Sequence, residues 1–335
     1  MLDSLYIKNF RLFKELQIKP LKRVNLFVGR NNAGKTGLLE ALWIYGSNAN
    51  PTVLEKIIAQ RDENWEKQFN LGYGKNHPLQ YFFHNDSHPS QQITIAPLNS
   101  SHQQLSMAIV ENEKFFPEMT LSFQNYPGLE TPKTLLLKDY PPTLNFPNFP
   151  NSEHTQFVGT AHKESQEIED LWNDIFVTPL EEHILTGLHL FDDRIQKAGL
   201  IVKSGKNIPV IFIDKERIPL KHLGEGMSRV FYIMLALVNA GNGFLLIDEF
   251  EHGLHYTVQS KVWELIFQLA KELNIQVFAT THSQDCVESF HAVWETQENE
   301  GTFYRLDNDP NEGVSVMPYD CEILAYALET DGEMR

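Results

Sequence analysis

Cysteine is nearly missing from this chain of 335 residues, which has only Cys286 and Cys321. Two thiols cannot build a disulfide framework or a four-thiolate zinc site. Long apolar runs are missing too: no window approaches the roughly 18 apolar residues that a membrane helix needs. The first residues alternate Lys and Arg with short apolar runs, a pattern expected of neither a secretory nor a transit leader. Positive charge is scarce, with 28 Lys+Arg against 44 Asp+Glu and a net charge of −16. Taken whole, the molecule is therefore a poor non-specific ligand for a polyanion such as nucleic acid. No internal repeat appears, and no heptad run is long enough for a coiled-coil arm. With 42% hydrophobic and 21% charged residues, the composition is that of a globular chain, and the expected location is the cytoplasm.

The positive charge that exists is unevenly placed. Lys8, Arg11, Lys14, Lys19, Lys22, Arg23, Arg30 and Lys35 face only Asp3 and Glu15 in the first 35 residues. A nucleic-acid surface is expected here if anywhere; solvated lysines on hairpin edges are the plainer alternative. Leu5–Ile7 and Leu16–Ile18 read as a strand pair, and Val24–Val28 as a third strand that runs into Gly29. After Gly34 an apolar helical pattern opens through Leu38, Leu39, Ala41, Leu42 and Ile44.

From about 50 to 200 the texture is irregular. Short strand-like pieces at Leu79–Phe83, Ile93–Ile95 and Leu135–Leu137 alternate with polar stretches, and prolines crowd between Pro117 and Pro150. Helical patterning returns at Glu164–Phe176 and Leu180–Leu190, then strands at Leu200–Val202 and Val210–Ile213. The last third alternates cleanly: helix Val230–Val238, strand Phe244–Ile247, helix Tyr256–Leu273, strand Ile275–Thr280. Such alternation predicts an α/β fold with a mixed, mainly parallel sheet. Residues 1–48 and 200–335 are expected to form one domain, interrupted by a β-rich and then helical insertion over 49–199.

Gly29-Arg30-Asn31-Asn32-Ala33-Gly34-Lys35-Thr36 fits the pattern GxxxxGK(S/T) between a strand and a helix. Its glycines let main-chain N–H groups turn inward around a polyphosphate at a helix N-terminus, where negative charge is favoured. Lys35 is placed to bridge the outer phosphates, and Thr36 to offer its hydroxyl to Mg²⁺. Gly37 continues the cradle into the helix. A second carboxylate is needed for the metal, and Asp248 closes the strand Phe244–Ile247. Glu249 follows it and alternates direction, so it is a candidate base toward an attacking water.

Leu223-Gly224-Glu225-Gly226-Met227-Ser228-Arg229 is a second glycine loop opening a helix. One chain already has its cradle, so Gly224, Glu225 and Gly226 are expected to complete the nucleotide site of another copy. Arg229 could add charge at the terminal phosphate, or make a surface ion pair. His282, at the end of the next strand in Thr280-Thr281-His282-Ser283, is a candidate sensor of the terminal phosphate or the water.

These four pieces, in this order, resemble the head of an ABC-type ATPase of the SMC/RecF kind, a P-loop NTPase. The opening Leu5-Tyr6-Ile7-Lys8-Asn9-Phe10-Arg11 resembles that group's first hairpin. The likeness is closest to the ATPase part of the OLD family (overcoming lysogenization defect). It rests on Leu223–Arg229, on Leu246 through His255, and on Phe278 through Ser283. The resemblance implies a homodimer, or a higher oligomer, that sandwiches two ATP molecules with Mg²⁺. In it Lys35 and Thr36 match the Walker A residues, Asp248 Walker B, Glu249 the catalytic glutamate and His282 the switch histidine. Arg11 matches an N-terminal arginine that reaches the phosphates, and Gly253–His255 the D-loop. It further implies a switch acting on a separate effector, such as a Toprim-type nuclease in anti-phage defence. The alternative is a DNA-binding repair ATPase like RecF; a membrane partner is not expected.

Departures accompany the likeness. Gly224 stands where the ABC signature has serine, and His255 where transporter ATPases have aspartate. No glutamine announces itself as a Q-loop, Gln156 being at a plausible place. The zinc-hook CxxC and a Toprim segment are not found. Glu251-His252-Gly253-Leu254-His255 has two histidines three apart but lacks the His-Glu-x-x-His pattern of a zinc helix. Asp214-Lys215 is not a guanine-reading motif, so ATP is expected rather than GTP.

Overall fold

The computed structural model describes residues 1–61, 81–84, 92–99, 103–111, 117–123, 133–136, 154–160 and 165–330. In chain order it begins with strands β1 (Leu5–Phe10), β2 (Phe13–Ile18) and β3 (Val24–Gly29), then helices α1 (Lys35–Gly46) and α2 (Pro51–Gln60). Strands β4 (Gln92–Ala96), β5 (Leu105–Glu111), β6 (Pro117–Phe123), β7 (Lys133–Leu136) and β8 (Thr155–Val158) follow. Next come α3 (Ser165–Ile175), α4 (Glu181–Leu188), β9 (Ile195–Lys203), β10 (Lys206–Ile213) and β11 (Glu216–Pro219). The last part holds α5 (Glu225–Asn239), β12 (Phe244–Ile247), α6 (Tyr256–Glu272), β13 (Gln276–Thr281) and α7 (Gln284–Trp294). It closes on β14 (Gly301–Asp309), β15 (Gly313–Tyr319) and α8 (Cys321–Glu329).

The central sheet has the order β15-β14-β3-β13-β12-β8. Its strands β14, β3, β13, β12 and β8 are mutually parallel, and β15 returns antiparallel to β14. The apolar runs of β3, β12 and β13 are the sequence signature of strands covered on both faces. Alternate residues confirm it. Leu26, Val28, Leu245, Ile247, Val277 and Ala279 enter one core with α5, α6 and α7. Phe27, Leu246 and Phe278 point the other way, into a core shared with α1 and the first strands. That second core is roofed by an antiparallel sheet in the order β2-β1-β4-β5-β6-β7. A third sheet, β11-β10-β9, is also antiparallel.

The α/β reading with a mixed sheet is what the chain forms. The irregular middle is woven into the head more deeply than its composition predicts. Strand β4 pairs with β1, with Ile7 opposite Ile95, and β8 pairs with β12 as the edge of the central sheet. The described part of the expected strand Leu79–Phe83, from Tyr81 on, is instead a short helical turn with a single bridge from Phe83 to Phe10; Phe82 and Phe83 are buried beneath β1. Leu79, Glu164 and residues 124–132 and 137–150 of the proline-rich stretch lie outside the described residues. No helix among the described residues is long and apolar enough to cross a membrane.

Because the central strands are parallel, the ends of β3, β12 and β13 reach the same edge. There the chain leaves β3 for the glycine loop, β12 for Asp248 and β13 for His282. Open α/β sheets bind ligands at this edge.

Candidate nucleotide site

The glycine loop is shaped by two contacts that only glycine tolerates. At Gly29 a Cβ would collide with the main-chain oxygen of Leu306 on β14, and Gly34 holds φ at +99° just before α1. No side chain caps α1, so the N–H groups of its first turn project from the helix toward the edge. Asn308 on β14 donates to the Asn32 oxygen at 3.1 Å, bracing the loop from the next strand. Lys35 Nζ donates to the oxygens of Gly29 at 2.6 Å and Arg30 at 3.0 Å. Burial pushes this ammonium's pKa down, against the upward pull of Asp248, Glu249 and Glu251.

The acidic end of β12 meets this loop. Thr36 Oγ1 donates to Asp248 Oδ2 at 3.0 Å, across 212 positions of sequence. Strand β13 lies between β3 and β12 and supplies the link, since Thr280 Oγ1 donates to Asp248 Oδ1 at 2.6 Å and accepts from Glu249 N–H at 3.0 Å. Glu249 is set differently from expectation. Strand β12 stops at Ile247, and Glu249 has φ of +47°, so a left-handed turn aims it rather than strand alternation. The turn is anchored by Phe250, fully buried and stacked on Trp263 at 3.9 Å between centroids. Thr36 and Asp248 supply a hydroxyl and a carboxylate oxygen, the hard donors that suit Mg²⁺.

His282 stands half-exposed at the end of β13, with Nδ1 3.0 Å from Glu251 Oε1. Arg229 does not make the surface ion pair that was one of its two expected roles, being buried. Its guanidinium donates to the main-chain oxygens of Gly159, Asp248 (2.8 Å) and Glu249 (3.0 Å). Arg11, in the β1–β2 turn with φ of +51°, is likewise engaged: its Nε lies 3.1 Å from Glu40 Oε2 and its guanidinium covers the Phe82 ring. Glu40 is a buried carboxylate on α1 that also holds Arg61 at 2.6 Å. Arg11, Arg61, Tyr81 and His84, together with Gly34 and Gly37, line a cleft of about 290 Å³ at the glycine loop.

Gly224, Glu225 and Gly226 lie apart from these contacts, on the turn that follows the acid pair. A Cβ on Gly226 would meet the Gly253 oxygen at 3.0 Å, and Glu225 reaches His252 at 3.3 Å. His255 caps α6, accepting from Thr257 N–H, so the two histidines of the zinc decoy face different partners. No cluster among the described residues could hold a metal through three His, Cys, Asp or Glu side chains. Gln156 stands inside β8 rather than in a loop at the sheet edge. Four residues of this network were not singled out by sequence: Glu40, Thr280, Glu251 and Asn308. Of these, Glu251 carried a signal, an acid two residues beyond the Asp248-Glu249 pair.

A family model described as an AAA ATPase domain matches residues 1–173 and 155–287. The chain is 27% identical over 327 residues to an ATP/GTP phosphatase of Helicobacter pylori, covering 88% of each chain. It is 34% identical over 77 residues to the DNA replication and repair protein RecF of Halothermothrix orenii, 18% of this chain and 20% of that one. An Smc head bound to the C-winged helix domain of ScpA superposes with a TM-score of 0.54 at 11% identity, over 96% of this chain and 98% of that one. An Smc head with an extended coiled coil, derived from Pyrococcus furiosus, gives 0.50 at 10% identity, over 98% and 99%. The fold is thus that of an ABC-type ATPase head, and the chain belongs to the AAA ATPase domain family as an ATP-hydrolysing enzyme.

Proposed function

We propose that the protein is an Mg²⁺-dependent ATPase that works as a nucleotide-switched dimer on DNA, in the manner of RecF and SMC heads. One observation carries the catalytic part: Thr36 and Asp248, far apart in sequence, touch at 3.0 Å beside the glycine loop. In this reading the N–H groups of residues 29–37 and the Lys35 ammonium bind the phosphates, and the cleft at Gly34 and Gly37 takes the nucleoside. Thr36 and Asp248 hold Mg²⁺, which when bound neutralises charge developing on the phosphates. Glu249, turned out of β12, orients and deprotonates the water for in-line attack. His282 contacts the terminal phosphate, and Gly224–Gly226 of a second copy closes over it.

The DNA part draws on the RecF relatives and on the exposed lysines of the first hairpin, Lys8, Lys14 and Lys19. Arg11, Arg23 and Lys35 do not contribute to such a surface, being held by Glu40, by Glu300 at 3.0 Å and by the glycine loop. The matched relatives move the reading away from an OLD-like effector switch in phage defence, for which they offer no support.

One experiment tests both parts. Glu249→Gln is expected to lose turnover while keeping ATP binding, and to run as a dimer only with ATP and Mg²⁺ in light scattering. That trapped dimer is expected to bind duplex DNA with an affinity that falls steeply between about 50 and 200 mM salt. Normal hydrolysis by the variant would remove Glu249 as base, and a trapped dimer indifferent to DNA would remove the DNA role alone.

A further inference from the structure

We propose that Glu251 is a positioning residue for His282, fixing which imidazole nitrogen faces the nucleotide; this rests on the nucleotide-site reading above. Glu251 follows the left-handed turn at Glu249, and its side chain is only 12% exposed against 50% for His282. A carboxylate so covered needs hydrogen-bond donors around it in place of water. Its donors come from two successive residues at the end of β13. Thr281 Oγ1 donates to Oε2 at 2.7 Å, His282 N–H donates to Oε1 at 3.0 Å, and His282 Nδ1 lies 3.0 Å from the same Oε1.

The chemistry of the pair settles the tautomer. An ionised carboxylate only accepts, so the Nδ1 contact requires hydrogen on Nδ1. Nε2, on the far edge of the ring, is then the nitrogen free to meet substrate. A carboxylate behind an imidazole is a general means of setting ring orientation and the identity of the outward nitrogen. The backbone bond to His282 N–H fixes the same residue at a second point, so ring and main chain cannot shift independently. Glu251 also lies within the electrostatic reach of Lys35, which puts it in the same site rather than on a remote surface. Glu249 is reserved for water and Asp248 for Thr36 and Thr280; of the three acids after β12, Glu251 alone faces the histidine.

The test is a double-mutant cycle in steady-state ATP hydrolysis, with ¹⁵N NMR of the imidazole nitrogens. His282→Ala and Glu251→Ala are each expected to lower kcat about tenfold with KM for ATP changed less than about twofold. The double variant is expected to be no slower than His282→Ala, because Glu251 acts through that ring. Glu251→Gln, which keeps an accepting oxygen, should fall between wild type and Glu251→Ala. The Nδ1–H signature of His282 should be lost in Glu251→Ala. If Glu251→Ala slows the His282→Ala background as much as the wild type, the inference is overturned and Glu251 is merely structural. Full activity of His282→Ala alongside an inactive Glu249→Gln would also overturn it, leaving the ATPase site standing. Full activity of Lys35→Ala would instead sink the site reading itself. Should Glu251→Ala fail to fold, Glu251→Gln decides: shifted His282 nitrogens with a lower kcat support the role, and unchanged nitrogens with wild-type kcat refute it.

Discussion

Arg229 lies one turn into α5 and is 6% exposed, yet no carboxylate among the described residues pairs with it directly. Its hydrogen bonds go to the main-chain oxygens of Gly159, Asp248 and Glu249. Burial pushes its pKa down to about 10, against the pull of Asp248, Glu251, Glu249 and Glu225, so the guanidinium remains charged at neutral pH. It therefore clamps the peptide that carries Asp248 and Glu249 to the end of β8, from a helix that starts at the Gly224 loop. Arg229→Met should remove this donor from three main-chain oxygens, of which Glu249's alone keeps a bond among the described residues, from His252 N–H, and cost about 3 kcal/mol, the scale of lost hydrogen bonds to a charged group. Thermal unfolding should show a lowered Tm, and kcat should fall because Glu249 loses its fixed backbone. An unchanged Tm and kcat would show that the clamp is idle. At this scale the sequence was readable where identity decides chemistry: Lys35, Thr36 and Asp248 stand where the motif puts them. Arg229 was not, because its partners are main-chain oxygens, which any residue type offers. Thr280 and Glu251 were hidden for a related reason. Their partners depend on which strands are neighbours, and β13 comes between β3 and β12 only in the folded sheet.

Strand β8 shows the same division among elements. The strands β3, β12 and β13 were legible because two covered faces require unbroken apolar runs. Thr155-Gln156-Phe157-Val158 has no such run, and lies in a stretch whose prolines and polar residues read as an insertion. It is recruited by backbone pairing with Phe244–Ile247 and by a close approach at Gly243. There the His154 oxygen accepts from Phe244 N–H at 2.9 Å, and a Cβ on Gly243 would collide with that same His154 oxygen. At the end of β8, Val158 accepts from Asp248 N–H at 2.9 Å and, just past it, Gly159 accepts from Arg229. The edge strand is thus a wall of the site. Gly243→Ala must push His154 away or shift the start of β12, at a cost of about 1–3 kcal/mol for a forced overpacking. Hydrogen exchange should quicken at Asp248 N–H, which bonds Val158, while β3 and β14 on the far side keep their protection. Uniform loss of protection across the sheet would mean that β8 is not a separable edge.

For the whole molecule, the sharpest consequence is that neither copy should own a complete site. The glycine loop, Asp248, Glu249 and His282 gather at one edge, whereas Gly224–Gly226 rests on the turn after Glu249 and is tied to it through Glu225–His252. If that loop serves the partner's nucleotide, defects in the two places must complement each other. Lys35→Ala removes the phosphate cation from a chain whose Gly224 loop is intact. Gly224→Asp sets a carboxylate where a phosphate should lie and leaves its own glycine loop intact; nothing lies within 4 Å of the added Cβ. Its φ of +99° makes the substitution strained, so binding of ATP to its own loop serves as the check that the chain has folded. Each variant alone should be inactive. In a mixed dimer one site collects both lesions and the other collects none. Equal mixing gives half mixed dimers with one good site each, so activity should return to roughly a quarter of wild type if closed dimers are two-fold and sites turn over independently. The recovery should require ATP and Mg²⁺ and should vanish when the second variant also carries Glu249→Gln. A mixture as inactive as its components would mean that the two glycine loops never share a nucleotide.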